Sequence, residues 1–340
     1  PGGLGIATIG ACAAFGAVSG SSVAAAAAMG NVALPEMRRF GYDPKLGCGV
    51  IAAGGTLSFL IPPSLGFVVY GMLTEQSIGK LLISGILPGA VMAGAFIACV
   101  IVLVAINPKL APRGTEKVTF RDKLIALKGV WEVLLVFCIV MGGIYLGFIN
   151  PTEAGAIGAT ALFIIVIIKK KLTKQNMFAA LLEMARISIM VLFLVAGATL
   201  FSYFLALSTI PTAVSTWIAG LGVSKYIILV IIVAIYFLLG CFLDSVSMMV
   251  LTLPVIFPVI VAIGFDPIWF GVLLVLMMEA GLITPPVGLN IYTIAGIAPD
   301  VPMGTIFRGA MPFLLSVIAT AIILTIFPQI ATYLPSLMGR

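Results

Sequence analysis

Histidine is absent from this chain, and charge is scarce: Asp, Glu, Lys and Arg make up only 9% of its 340 residues. A soluble domain carries roughly 25%. The five cysteines (Cys12, Cys48, Cys99, Cys138 and Cys241) are scattered through apolar contexts with no CxxC spacing. Without His or paired Cys, zinc and haem chemistry is excluded, and the cysteines read as small buried hydrophobes. No Ser-Lys or Asp-Asp dyad at helical spacing supports an intramembrane enzyme. The period-2 alternation of membrane strands is missing too, which excludes a barrel. The chain starts at Pro1 without a Met or a signal peptide, and reads as lacking its natural N-terminus.

What is present is hydrocarbon: 62% of residues are hydrophobic and the mean hydropathy is +1.26. Apolar runs of about 20 residues recur from end to end, as bilayer-spanning helices require. The fold class expected is an all-α integral membrane protein. Residues 3–18 and 23–35 are two short arms around "SGSS", which suggests a helical hairpin that dips in and returns. Residues 45–60 and 64–75 flank a Pro-Pro pair as one broken span, and 85–107 is a long helix. A basic polar loop runs from Asn107 to Val130. Spans 131–149 and 152–168 follow, joined by an "NPTE" turn, then a helix over about 177–208 and a short segment 210–222. Residues 224–263 form a second hairpin broken at "LDSVS", 268–298 a second broken span, and about 309–334 a last helix.

Two of these units repeat. "GYDPKLGCGVIAAGGTLSFLIPPS" from Gly41 and "GFDPIWFGVLLVLMMEAGLITPPV" from Gly264 share Gly-aromatic-Asp-Pro and a terminal Pro-Pro. Asp43 maps to Asp266, Pro62 to Pro285, Ser22 to Ser245 and Pro35 to Pro258, always by 223. With both hairpins returning to the side they enter from, 15 Lys and Arg fall inside and three, Lys80, Lys225 and Arg340, outside. The charges directly support only the second hairpin's return. The two units then lie in opposite orientations, and inverted repeats are the usual construction of secondary transporters.

A Pro lacks an N–H and displaces the carbonyl one turn earlier. In hydrocarbon the freed groups need partners, and a hard cation is a good one. Around the first break stand Gly54, Gly55, Thr56 and Ser58, with Ser19, Ser21 and Ser22 at the hairpin. Around the second stand Glu279, Gly281, Thr284 and Asn290, with Asp244, Ser245 and Ser247. Half-helix N-termini at the breaks suit a carboxylate substrate. A plain proline kink without a ligand is the bland alternative. Asp244 and Glu279 are intramembrane acids, for cation coordination or a buried ion pair; their repeat partners are Ser21 and Thr56. Glu153 reads as a helix cap, Glu132 and Glu183 as facing an interface or a partner. Met248, Met249, Met277 and Met278 read as packing, and Tyr203, Phe204 and Trp217 as membrane-belt residues.

The motifs "GAVSGSSVAAAAAMG", "YDPKLGCGVIAAGGTLSFLIPPS" and "GCFLDSVSMMVLTLPVIFPV" with "MMEAGLITPPVGLN" closely resemble the large membrane subunit of TRAP (tripartite ATP-independent periplasmic) transporters, the DctM- and SiaM-like family. The resemblance spans the whole chain. It implies an elevator-type importer of C4-dicarboxylates or sialic acid in a bacterial inner membrane, driven by a sodium gradient. The lack of a nucleotide-binding loop agrees with that. Its partners would be a four-helix small membrane subunit and a periplasmic substrate-binding protein; nucleic acid is not among them. The transport domain would be 1–84 and 224–305, and the scaffold 85–223 with loop 107–130 and the C-terminal helix 306–340. Sodium would bind at Ser19, Gly20, Ser21 and Ser22 with Gly54, Gly55, Thr56, Ser58 and Pro62. A second site would take Asp244, Ser245 and Ser247 with Glu279, Gly281, Thr284 and Pro285. Substrate would meet Ser21, Ser22, Pro63, Ser64, Ser245, Pro286 and Asn290. A carboxylate transporter that works alone and a passive channel remain as rival readings.

Overall fold

The computed structural model describes residues 2–112, 131–220 and 222–338. Among them stand sixteen α-helices and no strand. The basic loop expected over 107–130 falls mostly on residues 113–130, outside the described residues. The first half holds α1 (Gly3–Ser19), α2 (Ser22–Arg39), α3 (Pro44–Leu60), α4 (Leu65–Thr74), α5 (Ile78–Ser84) and α6 (Ile86–Ile106). Between the halves lie α7 (Trp131–Tyr145), α8 (Pro151–Ile168), α9 (Lys174–Ser208) and α10 (Ile210–Gly220). The second half holds α11 (Lys225–Gly240), α12 (Ser245–Ala262), α13 (Pro267–Gly281), α14 (Leu289–Ile297) and α15 (Met303–Ile326), and α16 (Gln329–Leu337) closes the chain. Five stretches are long and apolar enough to cross a membrane: Ile78–Ile106 as one run, α8, α9, α12 and α15. The pair α3–α4, bent by 42°, makes a sixth.

The repeated Gly-aromatic-Asp-Pro motif builds one joint twice. Gly41 and Gly264 take left-handed φ values of 70° and 78°, open to residues without a Cβ. Gly41 N–H donates to Arg38 O and Tyr42 N–H to Met37 O; Gly264 and Phe265 do the same to Val261 O and Ile260 O. This is a Schellman stop. One residue later Asp43 accepts from Lys45 N at 2.7 Å and Asp266 from Trp269 N at 2.8 Å, each capping the next helix with Pro at its first position. Four residues therefore end one helix and start the next by local chemistry alone.

The same 223-residue step relates α1–α4 to α11–α14. It also carries α5 and α6 onto α15. Helices α1 and α2 pack on α3, and α11 and α12 on α13. The halves then interlock: α2 packs on α14, and α12 on α4. Helix α15 crosses α3 so closely that a Cβ on Gly309 would run into the Lys45 carbonyl. The core lies along this crossing, with Ile51, Phe96, Trp269 and Phe313 buried and Trp269 Nε1–H donating to Leu324 O.

Several expectations are corrected. The last helix begins at Met303, six residues before the expected 309, and does not run on to 334. It stops at Ile326, and Pro328, which has no N–H to continue it, starts α16. Cys138 is exposed and Cys99 half-buried, so neither is the buried hydrophobe expected. Glu132 pairs with Lys169 inside the chain. Glu153 caps α8 in a reciprocal box with Asn150, as its "NPTE" setting suggested. The four methionines are buried, and Tyr203, Phe204, Trp217 and Glu183 are exposed.

Candidate cation and substrate site

Each helix pair turns at its Ser/Gly break, and each tip rests on the broken helix that follows it. In the first half Gly20 turns the chain at φ 59°, and a Cβ there would lie 2.9 Å from Pro63 O. Ser58 Oγ donates to Cys12 O at 2.9 Å and ties α3 to α1. In the second half Gly240 lies directly against Gly281. The peptide bonds Pro62–Pro63 and Pro285–Pro286 are both cis. The breaks differ in length: Ile61–Ser64 separates α3 from α4, whereas Leu282–Gly288 separates α13 from α14. Pro62 is buried and Pro63 half-buried, but Pro285 and Pro286 are both exposed.

The hydroxyls near the breaks satisfy backbone carbonyls. Thr56 donates to Ala53 O at 2.5 Å and Thr284 to Ala280 O at 2.7 Å, while Ser64 donates to Phe59 O. Ser21 and Asp244, partners in the repeat, both cap helices. Ser21 Oγ accepts from Ala24 N, and Asp244 Oδ1 accepts from Val246 N and Ser247 N at 3.1 Å each. Asp244 is exposed on the isolated chain. Ser19 and Ser247 are half-buried.

The expected residues converge most tightly around Glu279. Its side chain is 0% exposed, and Ser245 Oγ donates to its Oε1 at 3.5 Å. Ser22, the repeat partner of Ser245, is buried at the other tip. Asn290 Nδ2 donates to Ser22 Oγ at 2.8 Å and to Ala52 O at 3.0 Å, across 268 and 238 residues. Gly55 makes room: a Cβ there would lie 2.9 Å from Ser22 O and 3.2 Å from Asn290 Nδ2. Gly54 lies against Cys12 in the same way. Among the described residues the ion pairs are Arg38–Asp300, Arg39–Glu36 and Lys169–Glu132, so Glu279 has no basic partner. The buried ion pair considered for it is not formed there. No three His, Cys, Asp or Glu side chains gather among those residues.

One contact was not anticipated. Tyr70 Oη donates to Pro267 O at 2.7 Å and joins α4 to the start of α13. The available signal was a lone tyrosine in an apolar run, whose hydroxyl needs a partner once buried.

A model of the tripartite ATP-independent periplasmic transporter, DctM component, matches residues 1–330. The chain belongs to this family. It is 37% identical over 340 residues to the C4-dicarboxylate TRAP transporter large permease protein DctM of Pseudomonas aeruginosa, covering 99% of this chain and 78% of that one. The sialic acid TRAP transporter large permease protein SiaM of Vibrio cholerae is 31% identical over 324 residues, 95% of this chain and 75% of that one. An isethionate TRAP transporter permease protein DctMQ of Oleidesulfovibrio alaskensis is 33% identical over 98% of this chain and 52% of its own length. In fold the chain is similar to the Alcanivorax borkumensis YdaH transporter. The TM-score is 0.64 at 17% identity, covering 96% of this chain and 84% of that one. This TRAP large permease is thus a membrane protein and not an enzyme, as its relatives are.

Proposed function

We propose that the chain is the translocating part of a sodium-coupled importer of a small organic acid in a bacterial inner membrane. The observation that carries this reading is Glu279: a carboxyl 0% exposed with no basic partner among the described residues. A charge so placed costs at least about 2.5–3.5 kcal/mol unless it is balanced. A sodium ion that enters with the substrate supplies the balance, and sodium is here cargo. Oxygen-rich tips over both breaks favour the same ion chemistry. The N-termini of α2, α4 and α12 point their N–H groups toward the breaks, where a carboxylate is stabilised. The substrate would lie against Ser21, Ser22, Pro63 and Ser64 on one side and Ser245, Pro286 and Asn290 on the other. C4-dicarboxylate and sialic acid relatives support a small organic acid as the substrate.

In this reading the two tips return to the sides they enter from, and their unit slides as an elevator against α6–α9 and the C-terminal helix. A periplasmic binding protein delivers the acid, and a small four-helix subunit completes the permease; the DctMQ relative supports a paired subunit. The test is uptake of labelled succinate or sialic acid by proteoliposomes holding the full-length permease, its small subunit and the binding protein. Uptake should need inward sodium and stop when choline replaces it. Equal uptake in choline would refute the coupling. Sodium-driven uptake without the binding protein would favour a transporter that works alone.

A further inference from the structure

Helices α11 and α15 both pack on α13, and between them runs an apolar trough of about 380 Å³. Val230, Phe237, Met277 and Ile322 are among the side chains that line it. Only Tyr226 and Thr325 bring a side-chain oxygen, and Thr325 Oγ1 already donates to Ala321 O at 2.8 Å. A polar ligand would leave its own groups unpaired on such a floor, so the occupant is hydrocarbon. A partner's helix fits it poorly. Membrane helices meet on small residues, and this trough offers two alanines, Ala234 and Ala321, and no glycine. From Tyr226 to Phe237 it runs about 16 Å along α11. The hydrocarbon of one leaflet is about 15 Å deep.

The mouth at the Tyr226 end suits a negative head. Lys225 begins α11 there, and its Nζ lies 4.9 Å from the Phe265 ring centre and 5.7 Å from that of Tyr226. Tyr226 and Phe265 meet edge to face, and Phe265 stacks on Trp269 at 5.1 Å. The cation thus stands in an aromatic collar of the kind that marks a membrane surface. Lys225 is exposed and pairs with no carboxylate among the described residues. Asp266, next to Phe265, is engaged in capping α13. The N-terminal N–H groups of α11 add a positive dipole end beside the lysine. We propose that the trough seats one acyl chain of an anionic phospholipid, with Lys225 on its phosphate. The charge count puts that mouth on the outer side of the membrane. The proposal does not depend on the sodium reading. The chain would fill the gap between the second helix pair and α15, two elements that both lean on α13.

The experiment is a lipid titration. Thermal unfolding of the full-length permease with its small subunit, in detergent, is followed against added dioleoyl phosphatidylglycerol or dioleoyl phosphatidylcholine. Phosphatidylglycerol should raise the melting temperature at about fivefold lower concentration than phosphatidylcholine. Lys225→Ala should remove that difference and leave one common response to both lipids. Lys80→Ala, at an exposed lysine outside the trough, should keep it. Ala234→Phe plugs the trough from an exposed lining position, and the loss of two seated methylenes should raise the concentration needed of either lipid about tenfold. Equal potency of the two lipids in the parent protein would overturn the proposal. So would a preference for phosphatidylglycerol that survives Lys225→Ala, or an unchanged response in Ala234→Phe. A response of the permease alone that vanishes when the small subunit is added would also overturn it, because a protein would then cover the trough. If Ala234→Phe does not fold, Val230→Phe, at a lining side chain 65% exposed, serves as the plug.

Discussion

Gly309→Ala should be among the most damaging single-methyl additions in this chain. The new Cβ would overlap the Lys45 carbonyl and crowd Gly49 Cα, which are backbone atoms that no rotamer change can move. Helices α3 and α15 would have to part. Overpacking costs typically about 1–3 kcal/mol, and a rigid backbone obstacle puts this case near 3. Against it stands the helical preference of Ala over Gly, about 1 kcal/mol. The net loss is about 2 kcal/mol, a fall of a few degrees in melting temperature. Gly94→Ala in α6 is the control, because nothing lies within 4 Å of its added Cβ. It gains the same preference without the overlap. The difference between the two variants isolates the overlap itself, about 3 kcal/mol. Thermal unfolding in one detergent, followed by tryptophan fluorescence, measures both. Stabilities within about 0.5 kcal/mol of each other would refute the close-crossing argument.

Two further outcomes are expected. Asp244→Asn keeps the cap on α12, since Asn and Asp cap equally well, while Asp244→Ala should cost about 1 kcal/mol. Sodium-driven uptake by Asp244→Asn should need no more than about threefold more sodium; a tenfold rise with unchanged melting would put this carboxylate at the ion. The Arg38 guanidinium, 2.8 Å from Asp300, holds that carboxyl below its usual range. A lowered folded value means that the pair's contribution is present above the unfolded pKa of about 3.9 and fades as pH falls through the folded one. Asp300→Asn should therefore flatten the melting curve against pH below about pH 4; an unchanged slope there would rule the pair out as its source.

Local chemistry was legible in the sequence, and long-range chemistry was not. The doubled Gly-aromatic-Asp-Pro was read as a repeat, and its joint was within reach too, because a Schellman glycine, an Asp cap and a first-turn Pro act within a few residues. The "NPTE" cap was legible for the same reason. The capping bond of Asp244 was missed although Asp before "SVS" is itself an N-cap pattern; its apolar neighbours drew attention from the local bond. The start of α15 was missed because Pro302 and Gly304 look like loop residues, yet Pro302 is the residue just before that helix. The link from Asn290 to Ser22 spans 268 residues, and no spacing rule reaches that far. Two buried oxygens without a hydrogen-bond partner among the described residues, Glu279 Oε2 and Asn290 Oδ1, belong to the same class: they show only when the packing around them is known.

The doubled joint has a consequence for accuracy. Helix α2 runs 18 residues from its joint at Gly41 back to Ser22, and α12 runs 18 from Gly264 back to Ser245. At 1.5 Å per residue each arm is about 27 Å long. A tilt of about 2° at the joint displaces the far end by about 1 Å, more than the spread of cation–oxygen distances in a well-formed site. The aim of both serines is thus set a whole helix away, by a glycine, an aspartate and a proline that never approach them.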